Sequence, residues 1–143
     1  MKNTVLFVVA ISLLGCSVND ADHTTVGDRV LETIIDPTQF KSASLDPLTL
    51  NDLEIQNDRL WINFSANGCS GDTWKVKLIT THFVLESKPP HRELVLSLKN
   101  NEPCSASIPR NVTFDISNLQ LENGSDKIWL NIINTDKRIL YEY

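Results

Sequence analysis

From Leu60 to the end of the chain, apolar side chains recur at alternate positions, and this period constrains the fold more than any other feature of the sequence. Leu60, Ile62 and Phe64 alternate with Trp61, Asn63 and Ser65, and Trp74, Val76 and Leu78 with Lys75 and Lys77. Leu94, Leu96 and Leu98 alternate with Val95, Ser97 and Lys99, and Val112, Phe114 and Ile116 with Thr113 and Asp115. Ile128, Leu130 and Ile132 obey the same rule, and Ile139–Tyr143 closes the chain. Side chains of an extended strand point alternately to opposite faces, so each run turns one face to a core and a mostly polar face outward. No long stretch carries the period of about 3.6 residues that a helix needs. About seven or eight short strands separated by turn signals predict an all-β fold, a single antiparallel β-sandwich of immunoglobulin-like architecture, with a barrel as the alternative closure.

Upstream, Val30–Ile35 reads as a further strand stopped by Asp36-Pro37, and Thr38 to Pro47 reads as a loop. Cys69, Trp74 and Cys104 stand in the order found in immunoglobulin domains. Trp74 follows Cys69 too closely, however, and Glu102 occupies the place of that fold's corner tyrosine. The pattern supports the architecture and not membership of that family.

Two segments echo each other. Leu53–Phe64 reads as a strand, a polar turn at Asn57-Asp58 and a returning strand; Leu119–Ile132 matches it once Gly124-Ser125 is treated as an insertion. Both place a Trp-x-Asn pair, Trp61 with Asn63 and Trp129 with Asn131, on the face opposite the core residues. Packing under another segment accounts for such indoles, and so does a ligand platform on which a sugar ring stacks beside amide hydrogen-bonding groups. Three Asn-x-Ser/Thr triplets, beginning at Asn63, Asn111 and Asn123, read as chance products of an Asn-rich chain.

The start of the chain supplies an address. Met1-Lys2-Asn3 is short and basic, and Val5 to Leu14 is an apolar run broken only by Ser12, too short to span a bilayer and suited to a signal-peptide core. It ends in Leu13-Leu14-Gly15-Cys16, which resembles the lipobox of bacterial lipoproteins. Leu14 is bulkier than the residue usual there. The resemblance covers the first 16 residues and implies cleavage after Gly15, a signal peptide of residues 1–15 and acylation of Cys16, by palmitate or a similar chain. It implies a membrane anchor too, since several acyl chains hold where one binds only marginally. Ser17, where an Asp would signal inner-membrane retention in some envelope systems, leans the resemblance toward the outer membrane. Residues 16–27 are polar and read as anchor and tether, and residues 28–143 as the β domain.

With Cys16 acylated, two cysteines remain. Cys69 and Cys104 in an oxidising compartment are expected to pair. A zinc site of Cys69, His82, His91 and Cys104 lacks short paired-ligand spacing, and a nucleophilic Cys69 lacks a local partner.

The remaining chemistry is sparse. The net charge of −5 and the absence of a basic run argue against nucleic acid. There is no phosphate-cradling glycine loop, dinucleotide fingerprint, His-Glu-x-x-His, calcium loop or nucleophile elbow. His23 falls in the tether, His82 in a strand-like run over Ile79 to Leu85, and His91 in a loop after Pro89-Pro90. The sequence therefore predicts a non-enzymatic envelope lipoprotein without metal or cofactor, whose β domain binds a macromolecular partner or supports a surface assembly. A glycan-binding accessory lipoprotein using Trp61, Asn63, Trp129 and Asn131 is the first alternative. An inhibitor of an envelope-directed protease or lysozyme, presenting the Cys69–Thr73 and Ser87–Arg92 loops, is the second.

Overall fold

The computed structural model describes residues 29–143, so the lipobox-like segment, Cys16, His23 and the tether lie outside the described residues. The described chain runs β1 (Val30–Glu32), β2 (Ile34–Ile35), α1 (Pro37–Lys41), β3 (Thr49–Gln56), β4 (Arg59–Gly68), β5 (Lys75–Thr80), β6 (His91–Lys99), β7 (Ala106–Asp115), a 3-10 turn (Ser117–Leu119), β8 (Lys127–Ile132) and β9 (Lys137–Glu142). These strands form two sheets: a four-stranded one ordered β1-β7-β4-β3 and a five-stranded one ordered β2-β5-β6-β8-β9. The fold is a sandwich, not a closed barrel. Leu60, Ile62, Phe64 and Phe114 of one sheet meet Leu78, Leu94, Leu96, Leu98, Ile128, Leu130, Ile132 and Tyr141 of the other in one core. Every one of these positions was placed inward by the alternation, apart from Tyr141, which came from the closing run.

Three pairings are parallel, β1 with β7, β2 with β5 and β6 with β8, where an antiparallel sandwich was expected. Alternation fixes which face a residue occupies but carries no information about strand direction. Strand β7 crosses to the other sheet between β6 and β8, so β8 re-enters running the same way as β6.

The single strand expected over Val30–Ile35 divides at Thr33, where the chain passes from one sheet to the other. The Thr33 amide and hydroxyl both donate to the Asp115 carbonyl, at 3.3 and 2.7 Å, and Asn118 Nδ2 donates to the Thr33 carbonyl at 2.8 Å. Asp36 then caps α1, its Oδ1 accepting from the amides of Thr38 and Gln39, with Pro37 in the first turn. The residues read as a loop thus begin with one helical turn. Beyond it the backbone joins the far side of β6, where Leu45 bridges Leu98. Residues 36–44 therefore strap the outer face of β5 and β6. That strap explains why Ile79 and Val95, on the face the alternation leaves wet, are 2% and 4% exposed.

The Leu53–Phe64 hairpin is β3 and β4, turning at Asn57, whose φ is 55°. Its echo does not form one. Leu119 closes a 3-10 turn, the following residues are irregular, and β8 instead pairs with β6 and β9. Similar polar turns gave similar local sequence; the nonlocal partner decided the pairing. The two histidines also exchange their expected roles. Strand β5 stops at Thr80 and leaves His82 exposed in the connection, whereas His91 opens β6 and is half-buried, 2.8 Å from Ser87 Oγ.

Candidate functional site

One end of the sandwich is locked by polar contacts. Cys69, just after β4, is disulfide-bonded to Cys104, just before β7, at a Cα separation of 4.8 Å. Neither sulfur is then a free thiolate for zinc or for nucleophilic attack. The intervening Cys69–Thr73 loop curls its amides around the Glu102 carboxylate: Cys69, Ser70 and Gly71 donate to Oε2 at 2.6, 3.0 and 3.0 Å. The Thr73 hydroxyl donates to Oε1 at 2.8 Å. These donors, the Gly71 amide foremost, stabilise the ionised form and hold Glu102 at about 2. Arg110 clamps the same loop through Asp72 Oδ1 at 2.6 Å and through the Ser70 carbonyl. Gly71 adopts a φ of 76°, and a Cβ there would lie 2.7 Å from Arg110 Nε. Gly68 admits Trp74, whose Cζ2 would be 2.7 Å from an added Cβ.

Beside this loop the sandwich is incompletely closed. Among the described residues, strand β7 is paired on its outer side only at Thr113–Asp115, by the three residues of β1. Strand β5 is paired on its outer side only at Ile79 and Thr80, because β2 is two residues long. Between the two bare edges lies a groove of about 470 Å³ walled by Leu31, Phe64, Trp74, Val76 and Val112. Phe64 and Trp74 pack at a ring-centroid distance of 5.9 Å. Arg29, Lys75, Lys77 and Arg110 surround the opening. Trp74 Nε1 and Arg110 Nε are both buried and find no hydrogen-bond partner among the described residues. An apolar trough with a few converging polar groups is the usual form of a binding site.

The charges around it are unbalanced. Among the described residues, the Arg110–Asp72 contact is the one ion pair. Lys75 lies directly across from Lys99 in the β5–β6 ladder, an arrangement of like charges that costs stability without an anion nearby.

The sequence-predicted residues fall elsewhere. Trp61 and Asn63 stand on the outer face of the four-stranded sheet, Trp129 and Asn131 on that of the five-stranded sheet, so the two pairs belong to different surfaces. Asn63 is the centre of an amide row across three strands: Asn51 Nδ2 donates to Asn63 Oδ1 at 2.8 Å, and Asn63 Nδ2 donates to Asn111 Oδ1 at 2.5 Å. Trp61 lines a shallow hollow with Glu54, Gln56, Arg59 and Thr113. Trp129 carries the Arg138 guanidinium 4.7 Å over its ring, a cation–π contact that covers one indole face. The Asn131 Oδ1 is buried without a hydrogen-bond partner among the described residues. The Cys69–Thr73 and Ser87–Arg92 loops adjoin opposite ends of the β5–β6 pair.

The groove itself escaped the sequence reading. Trp74 and Val76 were read as core-facing, which they are in part, but the groove lies along edges that β1 and β2 do not reach. Nothing local in Val30–Ile35 signals that the chain changes sheets at Thr33.

No protein-family model and no curated protein matches this chain. Two solved structures share its fold. One is a Bacteroides vulgatus protein of unknown function, DUF1344, 21% identical, with a TM-score of 0.56 over 80% of this chain and 56% of that one. The other is a Parabacteroides distasonis protein described as toxin related, 17% identical, with a TM-score of 0.52 over 80% of this chain and 61% of that one. The chain thus spans less than two thirds of either neighbour.

Proposed function

We propose that this chain is a non-enzymatic lipoprotein of the bacterial envelope, anchored to the outer membrane through acylated Cys16, whose β domain binds a macromolecular partner through the Trp74 groove. The observation that carries the reading is the groove: apolar wall, two unpaired strand edges and a cationic opening in one place. The Cys69–Cys104 bond supports the compartment, because such pairs persist where the surroundings are oxidising. The neighbouring rigid loop, cradled on Glu102, holds the groove's Trp74 end in a fixed shape, which lowers the entropy lost on binding.

The test is a photo-crosslinking residue placed in the full-length protein at Lys75, on the groove, or at Glu54, on the far outer face, in cells that make it. A discrete protein adduct from the Lys75 position and none from Glu54 is expected. Equal adducts from both positions, or none from either, would contradict the reading. Palmitate labelling that persists in Cys16→Ala would remove the anchor.

A second reading has one observation in its favour. The Asn51–Asn63–Asn111 row beside Trp61 offers amides next to an indole, the pairing that a sugar ring uses. Quenching of Trp61 by a neutral oligosaccharide, abolished in Trp61→Phe, would establish it independently of the groove.

A further inference from the structure

The groove specifies the shape of its occupant. We infer that it takes an extended, acid-flanked segment of a partner protein, added as a strand to the bare edge of β7; this rests on the partner-binding reading above. Three observations lead there.

The first is the backbone. Strand β7 runs ten residues, and on the side away from β4 only its last three are paired. Among the described residues no strand covers this edge along Ala106–Val112, where Ser107 and Asn111 turn both N–H and C=O outward and Pro109 offers its carbonyl alone; across the groove Lys75–Leu78 of β5 are likewise uncovered. Uncovered N–H and C=O groups along a strand edge form a template for another strand, and an extended chain reaches those on either side of Pro109 where a compact ligand cannot.

The second is the wall. Leu31, Trp74, Val76 and Val112 present apolar surface between the sheets, so a strand there would bury alternate apolar side chains while its other side chains faced out. The third is charge. Arg29 and Lys75 on the groove have no carboxylate within 4 Å among the described residues, Lys77 Nζ donates to the neutral Gln39 Oε1 at 3.1 Å, and Arg110 has only Asp72. Acidic residues at the ends of an incoming segment would meet these cations, relieve the Lys75–Lys99 repulsion and speed encounter.

The upstream sequence, residues 17–28, carries only Val18, Ala21 and Val26 as apolar side chains, little to lay against that wall.

The test uses the full-length protein and a short synthetic peptide alternating valine and threonine between paired aspartates, read by amide exchange and by the Trp74 indole N–H resonance. With peptide at about ten times its dissociation constant, the outward-facing edge amides of Ser107 and Asn111 should exchange about tenfold more slowly, and the indole resonance should shift. The same peptide with lysines in place of aspartates should bind about tenfold more weakly, and K75E/K77E should reverse that preference. Unchanged exchange in β7, or equal binding of both peptides, would overturn the inference. So would edge protection without peptide that disappears on deleting residues 17–27, because the chain would then fill its own groove, or protection that grows with protein concentration, because a second copy would. A crosslinked partner that leaves the β7 amides unprotected would defeat strand addition and leave the partner-binding reading standing.

Discussion

At the scale of single residues, Glu102 is the anchor of the Cys69–Thr73 loop. Its carboxylate collects four backbone N–H groups and a hydroxyl at the point where β4 gives way to the Cys69–Thr73 loop. The group is held at about 2, below the ordinary value of 4.5, so the folded state binds its proton less readily than the unfolded one. Its contribution to stability is therefore complete above pH 4.5 and fades as the pH falls toward 2. Glu102→Gln should melt at a lower temperature than the native protein at neutral pH, and the gap should close in acid. Melting curves taken across that range check it; a gap that stays constant with pH would show that charge on Glu102 is irrelevant to the loop.

At the scale of elements, several segments explain how far local sequence reaches. The faces of β4, β6, β7 and β8 were legible, because period two reports side-chain direction whatever the partner strand. The strand break at Thr33, the parallel pairings and the strap over β5 and β6 were not. Each depends on contacts with residues far along the chain, such as Thr33 with Asp115 or Leu45 with Leu98. The failed echo makes the same point. Asp58 of the true hairpin turn is fixed by long-range bonds: Tyr141 donates its hydroxyl to Asp58 Oδ1 at 2.5 Å, and Gln120 Nε2 donates to both groups. This network ties the β3–β4 turn to β9 and to the residues after the 3-10 turn. Tyr141→Phe keeps the buried ring and removes the hydroxyl, so it should destabilise the fold by about 1–2 kcal/mol. A lower urea midpoint with an unchanged slope is the expected result, and an unchanged midpoint would show that the network is ornamental.

At the scale of the whole molecule, the cysteine pair and the core were readable while the groove was not. Cys69 and Cys104 carry their own chemistry and needed only a compartment. The groove lies beside edges of β5 and β7 that no described strand covers, and how little of them β1 and β2 reach emerges only from the assembled sheets. The resulting object is a sandwich with one end stiffened by a disulfide and a carboxylate cradle, and with an open seam beside that end. Such a seam costs stability unless something fills it, since its wall is apolar and its edges are unpaired. The most direct measurement of that claim is hydrogen exchange by mass spectrometry on the protein in native envelope membranes, compared with the same chain purified. Peptides covering Ser107–Val112 and Lys75–Leu78 should exchange more slowly in the membranes, while those covering β8 and β9 stay the same. Identical exchange along both edges in the two preparations would contradict the account.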